Sequence, residues 1–262
     1  MPVCILGSSR SGTSMVTRLL DLCGLNLGPR GQIAGAHEHS NPAGYWENLP
    51  IQSFNEELLD HLGGAWFDPP DTAPGWSREP GMDPYRERAL ELTAPLAQGE
   101  PWGWKDPRNS LTLELWQSLF PDLKVVVCLR NPVEAAISIQ KAVIRSNLEV
   151  PVRELAYAIR LWSRYQSRIW EFLRPGAYLV THYESYFYDP HAELARLLEF
   201  LDMMPTDAAM ENALETIDSG IRRNIVSRAA FEQALPQPIL EQYTELCGEA
   251  GPVFQRLSAE IY

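Results

Sequence analysis

Lysine is nearly missing from this chain: Lys105, Lys124 and Lys141 are the only three, against 19 arginines. With so few basic residues beside 34 acidic ones and a net charge of −12, nucleic acid and acidic membrane surfaces are poor partners, and a polyanionic substrate is disfavoured. No apolar run approaches the eighteen or so residues that cross a bilayer. No basic segment followed by an apolar stretch and a cleavage site opens the chain, so a soluble, unprocessed, cytoplasmic protein is expected. Cys4, Cys23, Cys128 and Cys247 are scattered, with no CxxC pair among them, and read as reduced core residues. Internal repeats and low-complexity tracts are also lacking, which excludes solenoids and linker-like regions.

What is present is enough apolar sequence, 45% of 262 residues, to build one α/β domain over 1–262. Apolar runs at 2–6, 102–105, 123–129 and 177–181 read as strands. Helical periodicity follows at 13–23, 51–62, 132–145, 152–173 and 190–202, and helices continue to the C-terminus. Strands alternating with helices predict a parallel sheet flanked by helices, with ligands at the carboxyl ends of its strands. The stretch 25–48, rich in Gly, Pro, Asn and His, and the stretch 63–82, rich in Gly and Pro, are expected to be long functional or mobile loops.

Gly7-Ser-Ser-Arg-Ser-Gly12-Thr-Ser14 joins the first strand to the first helix with the glycine spacing of a phosphate-binding loop. Its backbone N–H groups and the helix N-terminus suit an anion. Thr13, however, stands where a nucleotide triphosphatase carries lysine, and Arg10 is the loop's one cation. The strand 123–129 ends in Arg130-Asn-Pro132 instead of an acidic magnesium ligand, and Lys105 precedes Asp106 at the end of strand 102–105. Both features point away from an ordinary ATPase and toward metal-free chemistry on a phosphate-anchored donor.

On these residues the chain resembles the sulfotransferase family, with its P-loop NTPase-like fold, and within it the bacterial enzymes that act on glycans and small molecules. The resemblance implies 3′-phosphoadenosine 5′-phosphosulfate as donor. Arg10, Ser11, Gly12, Thr13 and Ser14 match the family's 5′-phosphosulfate loop, and Arg130-Asn-Pro132 with Ser138 matches its 3′-phosphate element. An arginine at a strand end supplies a fork for phosphate and a helix serine a hydroxyl. Tyr183-Glu184 with Asp189-Pro190 and Glu199-Phe-Leu201 is similar to a third stretch, which places Tyr183 near the adenine. Ile217-Asp-Ser-Gly-Ile-Arg222-Arg223-Asn is similar to a segment whose basic residue, Arg222 or Arg223, closes over the nucleotide.

Transfer to a hydroxyl needs a base and cations for the leaving phosphate. Asn41-Pro-Ala-Gly-Tyr-Trp-Glu47-Asn is similar to a bacterial stretch whose glutamate is the base, which makes Glu47 the first candidate. The histidines of His37-Glu-His39 and Asp106 in Lys105-Asp-Pro-Arg108 are the others; animal relatives use a K-x-H histidine that this chain lacks. Lys105 or Arg108, with Arg10, would neutralise the bridging oxygen. Trp46, His39 and Arg108 are placed on the acceptor side, where Trp66, Phe67, Trp76, Trp102 and Trp104 are also expected to offer ring faces to a saccharide or small-molecule hydroxyl. A small-molecule or nucleotide kinase of the same fold, and an inactive bisphosphate-nucleotide binding protein, are the competing readings. The oligomeric state is left open.

Overall fold

The computed structural model describes residues 1–36, 44–222 and 224–261. Four strands, β1 (Pro2–Leu6), β2 (Trp102–Lys105), β3 (Lys124–Leu129) and β4 (Tyr178–His182), form one parallel sheet in the order β2-β1-β3-β4. Each lies within a residue or so of its expected position. The chain runs from β1 out to β2 at one edge, then back past β1 to β3, so the loop after β1 sits where the direction of winding reverses. Ligands of open α/β sheets bind at such points.

The strands are largely apolar because both faces are covered, with Lys105, Lys124, Thr181 and His182 at or near their ends. Val3, Ile5, Val126 and Cys128 alternate onto one face, against α1 (Thr13–Leu22), α8 (Pro190–Phe200) and α9 (Asp207–Leu214). Cys4, Leu6, Val125 and Val127 face the other way, onto α2 (Leu49–His61), α3 (Asp83–Thr93), α4 (Asn109–Leu119), α5 (Pro132–Arg145) and α6 (Leu155–Phe172). A short α7 (Ser185–Tyr188) follows β4, and α10 (Arg228–Ala234), α11 (Gln237–Gly248) and α12 (Gly251–Ile261) complete the described helices. No helix among the described residues is long and apolar enough to cross a membrane.

Asx-Pro pairs start two of the helices. Asn131 Oδ1 accepts from the N–H groups of Val133 (3.0 Å) and Glu134 (3.2 Å), and Asp189 Oδ1 from that of Ala192 (3.1 Å), with proline at the first helical position each time. Proline there gives up no hydrogen bond and presets φ. These two caps orient the helices that follow β3 and β4.

Two expectations need correcting. Trp76, Trp102 and Trp104 do not wall a ligand site: they are buried in the core, where Trp104 packs against Trp116, Trp102 and Phe120. Indole area is most favourably placed there, since a neighbouring sheet and helix already exclude water from it. Nor is the stretch 63–82 a loose loop. Tyr157 and Tyr165 donate to the carbonyls of Phe67 (2.9 Å) and Trp66 (2.8 Å), Arg164 pairs with Asp68 (3.2 Å), and Glu114 accepts from Gly75 N–H, Ser77 N–H and Ser77 Oγ. Short 3-10 turns at Trp76–Arg78 and Pro80–Met82 take up part of it.

Candidate active site

The loop Gly7 to Gly12 turns over the carboxyl end of β1 with little room to spare. Gly7 has φ 148°, and a Cβ on it would meet the Cys128 carbonyl oxygen at 2.4 Å; Gly12 has φ 90°, and a Cβ there would meet Tyr183 Cδ2 at 2.4 Å. Both positions therefore require glycine. Arg10 also holds left-handed backbone (φ 71°), as does Trp46 (φ 67°), and such strain in residues with a Cβ gathers where function fixes the chain.

A cleft of about 440 Å³ opens beside this loop. Arg10, Gly12, Thr13, Ser14, Glu47, Lys105, Arg108, Arg130, Ser138 and Tyr183 all line it, so residues spread over most of the sequence meet in one place. Helix faces add Arg18 from α1 and Lys141 and Arg145 from α5, which sequence reading did not single out. The signal for them was helical spacing: Arg18 follows Ser14 by four residues, and Lys141 and Arg145 follow Ser138 by three and seven. Among the described lining residues seven cations face two carboxylates, Glu47 and Asp218, in a chain of net charge −12. The cleft is a local basic concentration that the net charge conceals.

On one side, Arg10 Nε donates to Ser138 Oγ at 3.1 Å, and Arg130 Nη1 donates to the Arg10 carbonyl at 3.2 Å. Burial lowers the Arg10 pKa from its ordinary value, with Arg130 acting in the same sense and Tyr45, Tyr183 and Glu47 opposing. Arg130 lies 4.4 Å over the Tyr183 ring. Its Nε and Nη2 donate to Glu134 Oε2 at 3.3 and 3.1 Å. Glu134 was not foreseen, although its place four residues after Arg130 on a capped helix is the sequence signal for that pair.

On the other side, Glu47 follows a chain segment pinned by Ala34, whose N–H donates to the Glu47 carbonyl at 2.8 Å and whose carbonyl accepts from Trp46. Glu47 Oε1 pairs with Lys105, and both side chains are nearly buried. Lys105 Nζ also donates to the Tyr45 carbonyl (3.0 Å) and to Ser14 Oγ (3.3 Å), which ties this carboxylate to the phosphate loop. Glu47 Oε2 is buried and has no hydrogen-bond partner among the described residues.

Four expected site residues are placed elsewhere. Asp106 is fully buried and accepts from Arg108 N–H (2.9 Å), Arg108 Nη1 (3.1 Å) and Asn55 (3.1 Å); it starts the turn into α4 instead of facing the cleft. Ser11 is buried, its hydroxyl bonded to that of Ser8 at 2.6 Å. Trp46, with φ 67°, packs beside the apolar cluster under α1 and is not among the cleft's lining residues. Arg222 pairs with Glu184 and lies 3.9 Å from Glu134, so two carboxylates hold it out of the cleft lining. His37, His39 and Arg223 lie outside the described residues.

Behind Tyr183, His182 is fully buried. It accepts the Glu184 N–H at Nδ1 (3.2 Å), which leaves Nε2 to donate to the Tyr243 hydroxyl (3.0 Å). Burial, together with nearby Arg130 and Arg222, pushes its pKa well below 6.5. The unfolded chain therefore binds a proton that the fold refuses, and stability is lost as pH falls below 6.5. Glu184, whose pKa burial raises against the pull of Arg222, contributes with the opposite sign. Measured against a His182→Asn variant, which retains Glu184, wild-type stability should fall by about 1.4 kcal/mol per pH unit. Urea unfolding as a function of pH reads this directly; parallel curves would mean that His182 is not the titrating group.

The model of the sulfotransferase family matches residues 2–207. Among solved structures, a Mycobacterium avium sulfotransferase is similar at TM-score 0.58 and 18% identity, over 93% of this chain and 76% of that one. A sulfotransferase of Mycobacterium tuberculosis H37Rv gives TM-score 0.58 and 18% identity, over 94% and 75%. The sulfotransferase domain of the Synechococcus PCC 7002 olefin synthase gives 0.51 and 19%, over 96% of each. A search of curated proteins finds no match.

Proposed function

The chain belongs to the sulfotransferase family, and from that premise we propose that it moves a sulfuryl group from 3′-phosphoadenosine 5′-phosphosulfate to a hydroxyl, with Glu47 as base. The observation that carries the reading is the Glu47 carboxylate in the cleft lining, with one oxygen held by Lys105 and the other, among the described residues, without a hydrogen-bond partner.

The residues present fit such a donor. A helix N-terminus at Thr13 and Ser14, the loop amides and Arg10 suit the phosphosulfate end, and Arg130 with Ser138 suits a second phosphate. When bound, the donor supplies the sulfuryl group and leaves as adenosine 3′,5′-bisphosphate, one S–O bond breaking as another forms. Glu47 takes the acceptor's hydroxyl proton. Lys105 and Arg10 hold the negative charge that develops on the phosphate side, where cations fixed before the reaction need no reorganisation. Thr13 in place of the triphosphatase lysine, and Arg130 in place of an acidic strand end, favour this reading over a kinase.

At the Glu47 end the lining is Ala34, Tyr45, Gln52, Pro107 and Arg108. The cleft volume falls within the roughly 300–1,000 Å³ of small-molecule sites, which favours a small-molecule or saccharide hydroxyl as acceptor. With Trp76, Trp102 and Trp104 in the core, those three rings do not favour a sugar over another small molecule.

Calorimetric titration with adenosine 3′,5′-bisphosphate in EDTA, beside ATP with magnesium, tests the donor. Tight binding of the bisphosphate without metal is expected. Binding of ATP and not of the bisphosphate would replace this reading with a kinase, and bisphosphate binding without turnover over a panel of hydroxyl acceptors would leave a binding protein.

A further inference from the structure

Four charged side chains gather behind the donor end of the cleft: Arg130, Glu134, Glu184 and Arg222. Glu134 is the one that touches both the cleft wall and the chain beyond it. Its side chain is 1% exposed, and its two oxygens divide their partners. Oε2 accepts twice from Arg130, while Oε1 accepts the Val226 N–H at 3.2 Å and lies 3.9 Å from Arg222. We infer that Glu134 is a positioning residue of the donor site: one carboxylate aims the Arg130 fork and anchors the backbone at Val226. This rests on the donor reading above.

The physical argument is one of shared constraint. Three contacts fix the Arg130 guanidinium: the Tyr183 ring beneath it, the Arg10 carbonyl at Nη1 and Glu134 at Nε and Nη2. Of these, Glu134 alone carries a charge, and a buried charge-assisted pair is the strongest of the three. A planar fork held in advance loses little freedom when it meets phosphate. The same carboxylate holds the backbone at Val226, two residues after Asn224, which lines the cleft together with Asp218. A phosphate engaging Arg130 is thereby coupled through Glu134 to the segment that contributes to the cleft's far wall.

The test is a double-mutant cycle read by calorimetry with adenosine 3′,5′-bisphosphate on the wild type, Glu134→Gln, Arg130→Ala and the double variant. Glu134→Gln should weaken binding roughly tenfold or more. In the Arg130→Ala background the same change should cost much less, because the part of its effect that runs through Arg130 is gone. Glu134→Asp, which keeps the charge, should recover most of the affinity. On the unaltered protein, hydrogen exchange at the Val226 amide should slow when the bisphosphate binds. An unchanged Glu134→Gln, a full additive loss in the Arg130→Ala background, an Asp variant as weak as the Gln one, or unchanged Val226 exchange would each overturn the inference alone. A wild type that does not bind the bisphosphate would overturn the donor reading and this inference with it.

Discussion

Glu47→Gln is expected to leave affinity for adenosine 3′,5′-bisphosphate intact and to lower turnover by roughly 10² to 10⁴-fold. The amide keeps the shape of the carboxylate and an oxygen for Lys105, but it cannot accept the acceptor's proton. Donor affinity is spared because the proposed phosphate contacts, Arg10, Arg130 and Ser138, make their hydrogen bonds without Glu47. Lys105 keeps its place through the Tyr45 carbonyl and Ser14 Oγ. Measuring bisphosphate binding by calorimetry and turnover with a hydroxyl acceptor separates the two effects. Normal turnover would move the base to the histidines at 37 and 39, since Asp106 is occupied by Asn55 and Arg108. Weakened donor binding would instead make Glu47 part of the donor site.

Local patterns made the fold legible. The strand runs at 2–6 and 125–129 are apolar without alternation because both faces are covered, and Asn131-Pro132 and Asp189-Pro190 announce helix starts in four letters. The phosphate loop was legible for the same reason, since Gly7 and Gly12 stand where no other residue fits. Long-range geometry was not legible. Nothing in the letters of Lys105-Asp106-Pro-Arg108 says that Lys105 reaches 58 residues back to Glu47 while Asp106 turns to Asn55. Tryptophan near a loop reads alike whether it faces a ligand or the core, and Trp76, Trp102 and Trp104 face the core. Net charge misleads in the same way: a sum of −12 is silent about Arg18, Lys141 and Arg145 lining one cleft.

Arg130→Ala is expected to produce two separable losses. The first is donor affinity, by about 1.5–3 kcal/mol, the worth of a charged hydrogen bond to phosphate, or roughly 10- to 150-fold in the dissociation constant. The second is stability. Among the described residues, removing Arg130 leaves Glu134 buried with the Val226 N–H and Arg222 at 3.9 Å, and stranding one member of a buried ion pair costs about 3–5 kcal/mol. Arg130→Lys should recover little of the affinity, because a single ammonium cannot hold Glu134 and a phosphate with the same planar fork. Urea unfolding reads the stability and calorimetry with the bisphosphate reads the affinity. A less stable variant that binds the bisphosphate as the wild type does would keep the Arg130–Glu134 pair as a structural feature and remove Arg130 from the donor site. A variant that loses affinity while keeping its stability would mean instead that Glu134 finds another partner once the arginine is gone, as Arg222 at 3.9 Å could provide.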